Sequence, residues 1–243
     1  MILPLGPAPV EIGEVGGKAA GLARLLELGF PVPPAVVVPV SDAGGIRDPD
    51  GVIAGLGEPL AVRSSAVSED AADRSSAGQY ESVMGVRLDG LASAVRRVHS
   101  SARSERVRAY RGEDDQAGMA VIIQREIPAG RAGVAFSRDP LSSHDAVLIE
   151  CVFGHGEALV SGRATPDRYR VEQGGGVSAR LAVKPPPHRL LRSLRDDEAA
   201  ELAGLARLAE ERFAQAVDVE FCFEGTRLWL VQCRAITALT SRR

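Results

Sequence analysis

Four polar side chains near the C-terminus have the spacing to act together. The run Ala216-Val-Asp218-Val-Glu220-Phe-Cys-Phe-Glu224-Gly-Thr-Arg-Leu228-Trp-Leu-Val-Gln232-Cys-Arg234-Ala-Ile-Thr237 alternates on both sides of Gly225, the pattern of a β-hairpin. Side chains alternate faces along a strand, so Asp218 and Glu220 share a face, as do Gln232 and Arg234. A loop of about three residues sets Glu220 across from Gln232 and Asp218 across from Arg234. All four then project from one face. An oxygen-rich cluster beside an arginine suits a hydrated Mg²⁺ carrying a polyphosphate, and does not suit an apolar core.

Other segments could hold anions. Gly16-Gly17-Lys18 places backbone N–H groups, a helix start and an ammonium together, an arrangement that attracts phosphate. Its spacing is not that of a P-loop, and by itself it also fits an ordinary helix start with an exposed lysine. Arg63-Ser64-Ser65 ends a short apolar strand with a guanidinium suited to bidentate phosphate recognition. A surface arginine beside serine caps fits equally well. Ser75 to Ser82 holds small residues that let a backbone approach phosphates closely, or simply form a loop. The four histidines, His99, His144, His155 and His188, pair with no acid or cysteine at a useful spacing.

The elements that must position these groups follow from periodicity and turn signals. A helix runs from Gly16 to about Leu28 with Ala19, Leu22, Leu25 and Leu26 on its apolar side. Pro31 to Pro34 forces an extended segment into a strand over Val36–Val40. Residues 41–58 read as loop. Leu60–Arg63 is a short strand, and the polar stretch Ser64–Ser76 does not pack as a core element. Gln79–Val86 is another strand, and Leu91–Tyr110 a helix with a basic face of Arg96, Arg97, Arg103 and Arg106. The apolar run Met119–Ile127 reads as a buried strand, followed by strands at Gly133–Phe136, Val147–Val152, Arg168–Val171 and Val177–Val183. Lys184 to Pro187 is a linker, and Asp197–Phe213 an amphipathic helix before the hairpin. The order is that of an α+β protein with two β-rich lobes: residues 1–118 as an N-terminal lobe and 119–243 as a C-terminal one, with the hinge at 112–127.

Composition narrows the function. The 243 residues can bury a core. A net charge of −3 makes no electrostatic case for nucleic acid or anionic membrane, and 4% aromatic content makes none for base stacking. No apolar run approaches the roughly 20 residues a membrane-spanning helix needs. Cys151, Cys222 and Cys233 form no zinc or redox motif and suggest reduced thiols in a cytoplasmic protein. Cys222 and Cys233 are expected to face away from the polar cluster as core filler.

These segments, in their order, resemble the N-terminal nucleotide-binding domain of the phosphoenolpyruvate synthase, pyruvate phosphate dikinase and rifampicin phosphotransferase family. The resemblance is carried by Gly16-Gly-Lys-Ala-Ala-Gly-Leu22 with Gly29-Phe-Pro-Val-Pro-Pro34, by Ala61-Val-Arg-Ser-Ser-Ala66, and by Ser76-Ala-Gly-Gln-Tyr-Glu81. It continues through Met119-Ala-Val-Ile-Ile-Gln-Arg125, Gly133-Val-Ala-Phe-Ser137 with Asp139-Pro140, and Gly154-His-Gly-Glu-Ala-Leu-Val-Ser-Gly-Arg163 with Thr165-Pro-Asp167. Asp218-Val-Glu220 and Gln232-Cys-Arg-Ala-Ile-Thr237 complete it.

The resemblance implies an ATP-grasp-like fold with ATP held between two lobes, and ATP and Mg²⁺ as ligands. Lys18 and Arg63 would hold phosphates, and Gly78, Gln79 and Ser82 would line the phosphate loop. Gln124, Arg125, Glu126 and Ile127 would face adenine, and Glu157 would approach the ribose. Glu220 and Gln232 would ligate Mg²⁺, and Arg234 would contact the transferring phosphate with Asp218 beside it. In the family, ATP phosphorylates a histidine on a separate swivelling domain, releasing AMP and phosphate, and a third domain passes the phosphoryl group to an acceptor. No histidine here matches the phosphocarrier motif, so the histidine and acceptor domains are expected on a partner chain. Residues 41–60 and 87–118 are shorter than the corresponding helical stretches of the relatives. Phe221 stands where Trp is usual, and Ala235 where Pro is usual. Direct phosphorylation or ligation of a small molecule, or nucleotide binding without catalysis, are the alternatives.

Overall fold

A computed structural model describes residues 1–42, 46, 48, 51–67, 81–101, 118–140, 145–160, 162–183 and 191–236. Gly78, Gln79, Arg103, Arg106, His144, His188 and the linker at Lys184 lie outside the described residues. The chain divides into two compact units, Met1–Glu126 and Ile127–Arg243. Each is built on one antiparallel sheet, which is the α+β architecture expected.

The first unit holds strands β1 (Leu3–Pro4), β2 (Ala35–Val38), β3 (Leu60–Ala66), β4 (Ser82–Val86) and β5 (Met119–Arg125), in the spatial order β1-β2-β5-β3-β4. Its main helices are α1 (Ile12–Glu27) and α3 (Leu91–Ser101); a short helix α2 (Val52–Gly55) lies in the segment expected as loop. Alternation sends Leu60, Val62, Val121 and Ile123 to the face where α3 packs Leu91, Val95 and Val98. Helix α1 packs against β3 and β5 through a face that buries Ala19, Leu22, Ala23 and Leu25. A central strand with a helix on each face must be apolar on both, which is why residues 119–123 form an unbroken apolar run.

The second unit holds β6 (Arg131–Phe136), β7 (Ala146–Phe153), β8 (Asp167–Glu172), β9 (Val177–Arg180), β10 (Val217–Glu224) and β11 (Arg227–Ala235), in the order β11-β10-β6-β7-β8-β9. A one-turn helix α4 (Glu157–Val160) precedes β8, and the long helix α5 (Asp196–Phe213) precedes the hairpin. Helix α5 lies across β6, β7, β8 and β10 and buries Ala199, Leu202, Ala203 and Ala206. Val219, Ala135, Ile149 and Tyr169 form one row across the ladder, each 2% exposed or less. Gly133 sits where β6 is most crowded: a Cβ there would stand 2.0 Å from the Glu150 carbonyl oxygen.

The units divide after Glu126, inside the expected hinge at 112–127, because β5 completes the first sheet by pairing with both β2 and β3. Two expectations are corrected. Strand β3 does not stop at Arg63. Ser64 and Ser65 continue it as wholly buried residues, which is possible because both hydroxyls have hydrogen-bond partners. Cys222 does not face away from Glu220. It pairs with Trp229 and Ala132 and packs with them and Ile127 on the Glu220 side of β10, whereas Cys233, opposite Val219, faces the other way.

Candidate functional site

In the first unit the candidate phosphate-binding groups meet where α1 crosses β3. Gly16 breaks the helix with φ +76°, so the regular turns start at Gly17 with Lys18 next. Gly16 is required there twice over. Its φ lies in the region that only glycine enters freely, and a Cβ would stand 2.1 Å from the Ser65 carbonyl oxygen. The half-buried Lys18 donates from Nζ to Ser64 Oγ at 3.4 Å, and the Ala19 N–H donates to Ser65 Oγ at 3.1 Å. Arg63, one residue before this pair, is half-buried and lies directly across the ladder from the exposed Ser82. Lys18, Arg63 and Ser82 therefore stand on the connected elements α1, β3 and β4.

The end of β5 is more committed than expected. Gln124 is buried at 2% exposure, its amide donating to the Pro33 carbonyl at 3.2 Å, and its backbone is in register with both Ala35 and Ala61. The Arg125 N–H donates to the Pro34 carbonyl and the Glu126 N–H to the Pro59 carbonyl. The Glu126 carboxylate accepts from the Gly85 N–H at 2.5 Å. Ile127 packs its side chain with Ala132, Cys222 and Trp229.

In the second unit the hairpin has the expected pairing, with Glu220 opposite Gln232 and Asp218 opposite Arg234. The route to it differs. The turn has two residues, Gly225 and Thr226, between the paired Glu224 and Arg227, and the register then shifts between Glu220 and Phe221. Continued regularly from that turn, the ladder would set Glu220 against Val231 and send Gln232 and Arg234 to the face covered by α5. A β-bulge absorbs Val231 and reverses the alternation. Leu228 and Leu230 thus share the Phe221 and Phe223 side, while Gln232 and Arg234 join Asp218 and Glu220 on the other.

That second face carries further charge. Arg234 donates from Nε to both carboxylate oxygens of Asp218, at 2.9 and 2.8 Å, and this fixes the plane of the guanidinium. Asp218 and Gln232 are buried and Glu220 is half-buried. The same face continues through Val134 to Glu150 and Arg168, which are hydrogen-bonded at 2.7 Å. Neighbouring Arg170 holds the buried carboxylate of Asp139 at 2.7 Å. The Glu150–Arg168 and Asp139–Arg170 pairs were not anticipated; the Asp139-Pro140 motif was the signal for one of them. Glu157, on α4, is well exposed and accepts a hydrogen bond from Arg163. Among the described residues no group of three or more His, Cys, Asp or Glu side chains forms a metal cluster.

Comparison with known proteins places the chain in a family. The family model described as the pyruvate phosphate dikinase AMP/ATP-binding domain matches residues 49–185 and 176–243, and the chain belongs to that family. It is 30% identical to the prodigiosin synthesizing transferase PigC of Serratia marcescens, over 96% of this chain and 32% of that protein. It is 32% identical to a probable phosphoenolpyruvate synthase of Archaeoglobus fulgidus, over 76% of this chain and 28% of the relative. With a rifampicin phosphotransferase of Streptomyces sviceus the identity is 34%, over 84% and 26%. The chain thus spans about a third or less of these three relatives. Among solved structures, the protein PH1788 from Pyrococcus horikoshii shares the fold with a TM-score of 0.51 at 12% identity, over 92% of this chain and 91% of that one. Two antiparallel sheets with packed helices, in a chain of this family, make the fold α+β and ATP-grasp-like.

Proposed function

We propose that the chain binds Mg-ATP and supplies the nucleotide half of a phosphotransfer reaction. The acceptor in this reading is a histidine outside these 243 residues, on a partner chain or domain, which hands the phosphoryl group on. The observation that carries the reading is the hairpin face. Asp218, Glu220, Gln232 and Arg234 stand together on the side of β10 and β11 turned away from α5, within the family-matched residues.

The donor set fits magnesium. Mg²⁺ keeps several waters and is held by one or two protein oxygens plus substrate phosphates. Glu220 and the Gln232 amide are two such donors, paired across the ladder. Bound there, Mg²⁺ would neutralise phosphate charge. Lys18 and Arg63 would bind phosphate oxygens, with Gly78, Gln79 and Ser82 as the loop over them. Arg234, oriented by Asp218, would present its guanidinium to the group being transferred. Catalysis of this kind is positioning and charge stabilisation, and no side chain need act as nucleophile. The Arg125 and Glu126 N–H groups are already used, so adenine recognition would fall to the Glu126 carbonyl and the Ile127 N–H. Glu157 would reach the ribose by exchanging its Arg163 partner.

Nucleotide titration and product analysis test this. Mg-ATP binding should fall on Lys18→Ala and on Glu220→Ala, and with Glu220→Ala the dependence on Mg²⁺ should fall too. If both variants bind as the parent does, the assignment is wrong. With a histidine-bearing carrier domain added, phosphorus NMR should show AMP and inorganic phosphate appearing only in its presence. ADP or pyrophosphate formed with a small acceptor would favour direct kinase or ligase chemistry. Tight binding without turnover would favour a non-catalytic nucleotide-binding module.

A further inference from the structure

We infer that Ser64 and Ser65 are positioning residues for Lys18, holding the ammonium in place without touching nucleotide themselves. The inference rests on reading Lys18 as a phosphate-binding cation. Both serines are 0% exposed at the end of a strand whose other residues are mostly apolar. A buried hydroxyl is costly unless it is hydrogen-bonded, and here both partners come from the first turn of the regular part of α1. Ser65 Oγ accepts the Ala19 N–H, satisfying one of the helix's orphan donors. Ser64 Oγ accepts from Lys18 Nζ. These are consecutive residues on the strand and consecutive residues on the helix, so the two bonds set the register of α1 on β3.

Gly16 makes that register tight. The Cβ it lacks would stand 2.1 Å from the Ser65 carbonyl oxygen and 2.5 Å from Ser65 Oγ, so the helix break is pressed directly onto the serine. Arg63 immediately precedes the pair on β3. Lys18 and Arg63, on elements far apart in sequence, are thereby tied by a two-residue hydroxyl step. A neutral acceptor suits this task. It orients the ammonium without neutralising it, whereas a carboxylate there would compete with phosphate for the same cation.

The test is the ratio of affinities for Mg-ATP and AMP, measured by calorimetric titration of the full chain. A misplaced Lys18 weakens binding of the longer phosphate chain, while a general loss of stability weakens both ligands alike. Ser64→Ala should weaken Mg-ATP binding about tenfold and AMP binding less than about twofold, the scale of one hydrogen bond to a charged group. Ser65→Ala should change the ratio in the same direction and lower the melting temperature. Val98→Ala, in the core under α3 and not under α1, should lower the melting temperature and leave the ratio unchanged. An unchanged ratio in Ser64→Ala overturns the inference, and that variant decides even if Ser65→Ala does not fold. A parent that separates ATP from AMP no better than Lys18→Ala does overturns the reading of Lys18 itself, and this inference with it.

Discussion

The two sheets place their polar residues under different constraints. The first has a helix on each face, α1 on one and α3 on the other, so its central strands are apolar on both sides. Polar groups survive there where the strand pairing runs out, as at Ser82, the first residue of β4, and Arg63 across from it, or as small buried hydroxyls with fixed partners, as Ser64 and Ser65 do. The second sheet has α5 on one face, and its strands alternate. The face turned from α5 carries Glu150 with Arg168, Asp218 with Arg234, and Glu220 with Gln232. A sheet covered once can present a row of charged side chains; one covered twice can offer them only at its margins. The candidate phosphate ligands and the candidate metal ligands follow that division.

The largest test of the contrast is at the bulge. Inserting one alanine after Val231 should return Gln232 and Arg234 to the α5 face. Burying the guanidinium away from Asp218 should cost about 4 kcal/mol or more, seen as loss of cooperative unfolding. Deleting Val231 should instead keep Glu220 opposite Gln232, because the turn register then runs straight through, and should cost only about 1–2 kcal/mol. Equal damage from both would mean that facing is not what the bulge controls.

Gly133→Ala comes next. Its Cβ would meet the Glu150 carbonyl oxygen at 2.0 Å and the Phe221 ring at 2.7 Å, so the unfolding free energy from denaturant titration should fall by about 3 kcal/mol.

A matched pair of carboxylates then separates the two faces of the second sheet. Glu198, on α5, is 4% exposed and takes a bidentate bond from Arg131 at 2.7 and 2.9 Å. Glu198→Gln should cost roughly 2 kcal/mol. Glu150→Gln, whose partner Arg168 is 45% exposed, should cost under about 1 kcal/mol. Burial pushes the Glu198 carboxyl up, but the Arg131 hydrogen bonds, the Arg195 N–H and the charges of both arginines outweigh it and leave the group below its ordinary 4.5. A depressed carboxyl binds fewer protons folded than unfolded. Its contribution is therefore complete above about pH 4.5 and is lost as pH falls through the lowered value. Acid unfolding of Glu198→Gln should be correspondingly less steep than that of the parent.

The smallest effect is Gly204→Ala, in the middle of α5, where an added Cβ meets nothing within 4 Å. Stability should rise by about 0.5–1 kcal/mol from helix propensity alone. A loss would show that this part of α5 packs more closely than the structure indicates.

Much of the fold is legible because hydrophobic period and turn chemistry are local signals. The Met119–Ile123 run, the helix ending before Gly29, the helix reaching Phe213 and the Gly225 hairpin all lie within a few residues of their expected limits. The correct pairing of Glu220 with Gln232 emerged from a loop of the wrong length. The chain has one residue more than a two-residue turn needs, and a longer loop and a bulge place that residue equally well on paper. Cys222 stands two residues from Glu220 and so shares its face, where Trp229 and Ala132 pack alongside the thiol. Burial pushes the third thiol, Cys151, up to about 12, which fits its place inside the sheet rather than any reactive role.

The sequence by itself determined which residue types stand at which spacing: the alternation of the hairpin, the glycines ahead of Lys18, the apolar central strand and the family to which they point. Local pattern suffices for these because alternation and backbone preference act between near neighbours. The tertiary structure alone decided that β5 belongs to the first sheet, that Ser64 and Ser65 are buried partners of α1, and that Val231 is absorbed in a bulge. Each of these depends on a contact between segments far apart in the chain. A hydroxyl's partner or a strand's neighbour is chosen by what else has already packed beside it.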